Sequence, residues 1–276
     1  MPSTPVRGTE PRMPDSSESG VLELLAGHAS CRAYRDDPVP ETDLRRAIEA
    51  GQRAASSSNL HMWSAVVVRD RERRHRLAVL CGDQAHIRSA PVFIAWCADR
   101  NRLDRAAESR GYRQNTEFLE SFLVAAVDTA IAMQNATVAF EALGYGCCYI
   151  GGLRNDTAAV VDLLELPAHV VPVAGMTVGV PARPLRRRPR PALDTVLHWE
   201  RYTPAAPDQL LEYDRIMRDT GIYHGRHAEG VRPDGQSSQE VPDAEYGWME
   251  HSARRVSVPR RTDLRSVVER QGYGLG

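Results

Sequence analysis

Apolar residues recur at helical spacing over residues 21–27 and 42–56, where Leu44, Ala47 and Ile48 share one face and Glu41 or Thr42 supplies a start signal. Four other runs, at residues 65–68, 92–97, 149–150 and 171–180, are short, apolar and β-branched between polar or Gly/Pro punctuation. They predict strands. Residues 117–143 form the longest helical stretch and are apolar almost all round, through Phe118, Phe122, Val127, Ile131, Met133, Val138, Phe140 and Leu143. A helix of that kind is buried on several sides. One chain of this size has little material to surround it, so a second subunit is expected to cover part of it; a central core helix in a monomer is the other reading. Helix and strand alternate without regular βαβ repetition, and no internal repeat is visible.

After Tyr202 the pattern changes. Residues 210–217 are still amphipathic, but 224–246 are dominated by Gly, Pro, Asp, Glu, Ser and Gln and predict a flexible loop. Helical spacing resumes over 261–270 through Leu264, Val267 and Val268, as expected of a C-terminal arm. The organisation read from the sequence is a disordered leader over 1–20, a core over 21–204 and the arm with its loop over 205–276.

Composition narrows the chemistry. With 276 residues, 42% of them hydrophobic, the chain can bury a full core, and a formal charge of −1 gives nucleic acid no general basic face. Every one of the 35 cationic side chains is arginine. The absence of lysine excludes Schiff-base chemistry and a Walker A phosphate loop. The five cysteines, Cys31, Cys81, Cys97, Cys147 and Cys148, are odd in number and lack C-x-x-C spacing, which fits a reducing compartment and neither a disulfide framework nor a zinc site. The leader has no apolar segment of signal-peptide type, and the longest apolar stretch is interrupted by Asp128, Gln134 and Asn135, against a membrane span. A cytoplasmic protein without a membrane partner is expected.

Four stretches carry candidate chemistry. In His28-Ala29-Ser30-Cys31-Arg32, a hydroxyl and a guanidinium two residues apart point the same way if the backbone is extended. That pair suits a phosphate, because arginine offers a planar donor fork and serine a short hydrogen bond; a surface turn with a salt bridge is the plainer reading. Ser56, Ser57, Ser58 and Asn59 supply donors and acceptors for the heteroatom edge of a planar ligand, or simply fill a loop. The glycines of residues 144–155 follow a helix and then a strand, the wrong order for a dinucleotide-binding turn. Gly151-Gly152 at a strand end would instead let the backbone lie against a flat ring. The run from Arg183 to Pro191 is stiffened by proline and has no aromatic interleaving, so it reads as a solvated charged loop compatible with part of a phosphate site. No G-x-S-x-G, H-E-x-x-H or paired carboxylates occur, and His224 and His227 lack a third ligand, so no metal is expected.

Taken together, the segments His28 to Arg32, Ser56 to Asn59, Gly82-Asp83-Gln84-Ala85-His86-Ile87, Ala90-Pro91, Tyr149 to Asn155 and Arg188-Pro189-Arg190 resemble the nitroreductase superfamily. The resemblance is to its oxygen-insensitive NADPH nitroreductase and NADPH–flavin oxidoreductase branch. It implies an α+β fold, with a central, mostly antiparallel sheet flanked by helices, in an interlocked homodimer with a C-terminal arm that binds FMN at the subunit interface. By that resemblance His28, Ser30, Arg32, Arg188 and Arg190 hold the phosphate and ribityl end. Ser56, Ser57, Ser58, Asn59 and Gln84 edge the flavin, and Tyr149, Ile150, Gly151, Gly152 and Leu153 lie along the ring. Arg226 is matched to the arginine that favours NADPH through its 2′-phosphate. No catalytic side chain is implied, since the flavin N5 carries the chemistry. The expected activity is ping-pong reduction of nitroaromatics, quinones or free flavin by NADPH, with NADH as an alternative donor. A dedicated flavin oxidoreductase acting on one secondary metabolite is the rival. His61 stands where a glutamine is usual, Arg188 where a lysine is common, and residues 227–245 are longer and more acidic than the family's loop.

Overall fold

The four runs predicted as strands are the strands of one sheet: Trp63–Val68 (β1), Val92–Asp99 (β2), Gly146–Ile150 (β3) and Val170–Gly179 (β4). They lie in the order β1-β2-β4-β3 with every neighbouring pair antiparallel. The two inner strands, β2 and β4, are buried at nearly every position. A strand covered on both faces reads as an unbroken apolar run, which is how Val92 to Cys97 appears in the sequence. The structure is a computed structural model that describes residues 18–276. The expected leader therefore lies outside the described residues up to position 17.

Helices cover both faces of the sheet. They are Glu18–Ala26 (α1), Glu41–Gln52 (α2), Arg71–Leu80 (α3), Ala85–Ser89 (α4), Asn101–Ser109 (α5), Leu119–Ala142 (α6) and Thr157–Leu163 (α7). The alternation of β2 divides the core in two. Ile94 and Trp96 pack with Leu44 and Ala47 of α2 and Ala132, Ala136 and Phe140 of α6. Phe93, Ala95 and Cys97 point the other way, to Leu77 of α3, Ile87 of α4 and Val160 of α7. Each such aliphatic or aromatic side chain contributes about 1.5–3 kcal/mol when fully buried.

The long helix α6 is buried along Ala125, Asp128, Thr129, Ala132, Met133, Ala136, Thr137 and Phe140. Its opposite side is open within the chain: Leu123 is 52% exposed, Val127 46% and Ile131 38%, at four-residue spacing. Among the described residues it is the one helix long and apolar enough to cross a membrane, and it packs against α2, β1 and β2. Helices α3 and α5 are less legible in the sequence, because arginine-rich α3 buries only Leu77 and Ala78, and α5 buries no residue fully. What starts α3 is Asp70, whose carboxylate accepts from the N–H of Arg73.

The described chain divides into two units. The first runs to Arg187 and includes Ser266–Gly276; the second is Arg188–Arg265. Within the second, Pro207–Asp219 (α8) meets Trp248–Ser257 (α9), with Tyr213 and Trp248 edge to face at 5.0 Å. A Cβ at Gly247 would displace the carboxylate of Asp214, which accepts from the N–H of Met249 at 2.6 Å. Leu264–Arg270 (α10) leads the chain back into the first unit.

Residues 224–246, read from composition as a flexible loop, make several contacts in the structure. Buried Arg254 donates to the carbonyls of Ala228 and Gln239 and sits 5.2 Å over the ring of Tyr246. Val231 bridges Ser237, and His227 stacks on Tyr246 at 3.9 Å while contacting Asp243 at 2.6 Å. Arg254 lies beyond the segment in sequence, so local composition does not reveal it.

All five cysteines are free and buried. Burial pushes the thiols of Cys81 and Cys97 up to about 12. Each is therefore neutral at about pH 8, where an ordinary thiol is already partly the reactive thiolate. Titration of the native protein with an aromatic disulfide reagent at that pH is expected to give no rapid reaction, and five equivalents in denaturant. Rapid modification of any cysteine in the native state would contradict the burial.

Candidate functional site

The segment after α1 runs in an extended course beside the sheet: the N–H of Cys31 donates to Cys147 O in β3 at 2.8 Å, and that of Arg35 to Val180 O at 2.9 Å. Ala29 and Cys31 are buried, whereas Ser30 and Arg32 are exposed. The alternation places the hydroxyl and the guanidinium on the same open side, as the sequence predicted. Among the described residues Arg32 makes no ion pair; its charge acts on His86 of α4 and on Cys148 of β3. Burial first, and then that charge, hold the imidazole of His86 below the usual histidine range. Neutral His86 thus leaves the local positive charge at neutral pH to arginine, to Arg32 and to Arg183, which both act on Cys31.

Next to this pair, a single turn of tight helix over Gly151–Arg154 follows β3. Gly152 approaches the turn after α3 so closely that a Cβ would strike Cys81 O and lie 3.0 Å from Gln84 Nε2. The Gln84 amide donates to Cys81 O at 2.7 Å, which fixes its side chain beside Gly152. Ile150 and Leu153 are buried anchors, while Gly151 and Gly152 stay accessible. The structure thus brings Arg32, His86, Gln84 and Gly152 into one neighbourhood on the first unit.

Ser56, Ser57, Ser58 and Asn59 gather around a different centre, Asp128 of α6. The residue is 1% exposed, and its carboxylate accepts the Ser56 hydroxyl at 2.6 Å, the Ser57 N–H at 3.0 Å and the Met62 N–H at 3.1 Å. Ser56 Oγ in turn accepts from the N–H of His61 at 2.7 Å, and the His61 ring meets Asn59 Oδ1 at 2.8 Å. Ser58, Asn59 and His61 all have left-handed backbones, with φ of 48°, 58° and 51°. Such conformations persist in non-glycine residues only where the surroundings over-determine them. Arg102 closes the loop from below, donating to the carbonyls of His61 and Trp63 at 2.7 Å each. The Ser56 hydroxyl is therefore committed within the chain, and the groups left for a ligand are those of Ser57, Ser58 and the loop's backbone.

Asp128 was visible in the sequence only as a break in an apolar stretch, and Arg102 not at all. A second acidic residue of α6 plays a similar part. Glu141 Oε1 lies 2.6 Å from His28 Nδ1, so that ring edge is engaged and Nε2 is the atom left to meet a ligand. Between them, Gln134 and Thr137 hold the hydroxyl of Tyr149 at 2.7 and 2.8 Å, with the ring 39% exposed. One helix thus positions three of the sequence-predicted segments, through residues 128, 134, 137 and 141. The signal, polar side chains embedded in an apolar helix, was present in the sequence.

Arg188, Arg190 and Arg226 belong to the second unit. Arg190 is exposed and, among the described residues, donates to the backbone carbonyls of Arg188 and Pro189, and exposed Arg226 follows the turn closed by Tyr223 O. Among the described residues no three His, Cys, Asp or Glu side chains converge as metal ligands.

The exposed Ser30 and Arg32 fork, the accessible paired glycines and the amide of Gln84 form a donor-rich surface suited to an anionic group with a flat polar ring attached. Comparison with known proteins agrees with that chemistry. A model described as "Nitroreductase family" matches residues 25–180, and one described as "Nitroreductase family, C-terminal domain" matches 188–276. The chain is 34% identical over 257 residues to FMN reductase [NAD(P)H] of Bacillus subtilis (strain 168), covering 92% of this chain and 97% of that protein. It is 33% identical to the oxygen-insensitive NADPH nitroreductase of Salmonella typhimurium, at 92% and 98% coverage. Its fold superimposes on the structure of B. megaterium NfrA1 with a TM-score of 0.81 at 35% identity, covering 92% and 99% of the two chains.

Proposed function

Because the chain belongs to the nitroreductase family, we propose that the surface bearing Ser30, Arg32, Gln84 and Gly151-Gly152 is its FMN site. The protein is an NAD(P)H-dependent oxidoreductase of the FMN reductase and nitroreductase kind, with FMN and NADPH or NADH as its cofactors. When bound, FMN supplies two-electron redox chemistry, taking a hydride from the nicotinamide and passing the electrons to an acceptor.

The observation that carries the assignment is the exposed guanidinium of Arg32, without an ion pair among the described residues, beside Ser30 on a segment pinned to the sheet through Cys31. Arg32 offers its fork and Ser30 a hydroxyl to the phosphate, and His28 adds Nε2 while Glu141 fixes its ring. The accessible backbone of Gly151 and Gly152 faces the ring, the close approach of Gly152 to Cys81 O holding that turn in place, and Gln84, with the 57–59 loop, presents hydrogen-bond partners to its polar edge. No side chain of the chain is required as nucleophile or acid. Arg188, Arg190 and Arg226 enter on the resemblance, the first two toward the phosphate end and Arg226 toward the 2′-phosphate of NADPH.

A second copy of the chain fits the open side of α6, where Leu123, Val127 and Ile131 form an apolar stripe. We assign the homodimer to that stripe and the protein to the cytoplasm. The acceptor is a nitroaromatic, a quinone or free flavin.

Stopped-flow reduction of the FMN-loaded protein by NADPH and by NADH tests the function. Rapid bleaching of the flavin absorbance by NADPH is expected. A protein that stays colourless with added FMN would sink the reading. Arg226→Ala is expected to raise KM for NADPH about ten-fold or more and leave that for NADH unchanged, the loss of one charge-assisted phosphate contact. An unaltered NADPH preference would remove Arg226 from the site.

A further inference from the structure

A cavity of about 680 Å³ opens beside α3 and α4, lined by Asp36, Arg69, Arg71, Arg74, His75 and Arg88. Its volume falls within the range of small-molecule sites. Four arginines face one aspartate, and the imbalance is larger in practice than in count. Arg88 is paired with Asp83, but among the described residues the side chains of Arg69 and Arg71 make no hydrogen bond or ion pair. Arg74 donates through one terminal nitrogen to the carbonyls of Arg88 and Ala90, and its Nε is buried with no partner among the described residues.

Like charges held this close cost free energy unless something neutralises them. Arg71 and Arg74 lie three residues apart on the face of α3, and the guanidinium of Arg74 is disfavoured by burial first and by the charge of Arg71 second. Asp70 offsets part of this, but its carboxylate is already engaged by the N–H of Arg73. The arginine forks match phosphate oxygens, and neighbouring forks match successive phosphates. Buried Val39 and Val92 give the cavity an apolar wall.

None of the residues lining this cavity is among those assigned to FMN. The short helix α4 stands between: His86 faces the charge of Arg32, whereas Ala85, Arg88 and Ser89 line the cavity. We propose that the cavity is a second anion site, which binds a chain of two or three phosphates carried by a small molecule.

The test is calorimetric titration of the FMN-saturated protein, in which the flavin phosphate already fills its own site, with inorganic tripolyphosphate and, separately, with ATP free of magnesium. Binding of one equivalent is expected, weakening about ten-fold or more when salt is raised from about 0.05 to 0.3 M. Tighter binding of tripolyphosphate would identify an inorganic polyphosphate ligand, and tighter binding of ATP a nucleotide; either outcome supports the site. The double variant R69A/R71A is expected to lose binding by about ten-fold or more with FMN affinity unchanged. Without an anion, at low salt, it is expected to melt no lower than the parent protein, since it removes repelling charges. Absence of binding by both probes, or unchanged binding in R69A/R71A, would overturn the proposal.

Discussion

Replacing Arg32 with alanine is expected to weaken FMN binding on the order of 100-fold, about 3 kcal/mol, while leaving the melting temperature of the flavin-free protein where it was. The two halves of that result follow from one local pattern. Ala29 and Cys31 anchor the segment and are buried, and the Cys31 N–H is bound to β3, so the backbone does not depend on the side chain at 32. The guanidinium is exposed and makes no ion pair among the described residues, so no other contact is broken. Fluorescence quenching on titration with FMN measures the loss. Arg32→Lys keeps the charge without the fork and is expected to recover only part of it. If FMN bound equally well to the alanine variant, the phosphate would have to sit elsewhere.

Replacing Asp128 has the opposite character, a large loss of stability from one polar side chain. Alanine there would orphan the Ser56 hydroxyl and the N–H groups of Ser57 and Met62 at once. Leaving buried donors without partners costs about 1–3 kcal/mol each, although loops of this kind relax toward water. A net loss of about 3–5 kcal/mol is expected. In a chain of this length that lowers the melting point by roughly 6–15 °C. The left-handed backbones of Ser58, Asn59 and His61 would lose what enforces them, so weaker FMN retention should accompany the loss. Asp128→Asn keeps an acceptor oxygen and should cost clearly less. Thermal melts of both variants settle the order, and an alanine variant as stable as the parent would remove Asp128 from its organising role.

The sheet was legible because its strands announce themselves by composition: β2 and β4 are buried on both faces, so nearly every position is apolar. The long helix was equally plain. Helices α3 and α5 were not, since α3 commits only Leu77 and Ala78 to the core and its start rests on a capping contact from Asp70. At the candidate site, the alternation of Ala29, Ser30, Cys31 and Arg32 could be read directly as two side chains facing one way. Ser56 could not be read so directly, because a hydroxyl in a serine cluster looks the same whether it awaits a ligand or is bound to a carboxylate 72 residues away. Long-range partners of this kind, Asp128 for the loop and Glu141 for His28, are set by the packing of α6 and leave only a faint local trace.

The route of the chain through its two units bears on how it comes to be folded. Arg100, buried in the first unit, donates to the carbonyl of Gly272 at 2.9 Å and lies 4.7 Å over the ring of Tyr273, so part of what satisfies this interior cation is synthesised only after the entire second unit. During translation the sheet can assemble early, with Arg100 held by Ser121 alone at the end of β2 until residues 266–276 are made. A nascent chain stalled before residue 266 would therefore carry all four strands of the sheet while the carbonyl of Val170 and the guanidinium of Arg100 still lacked Gln271 and Gly272.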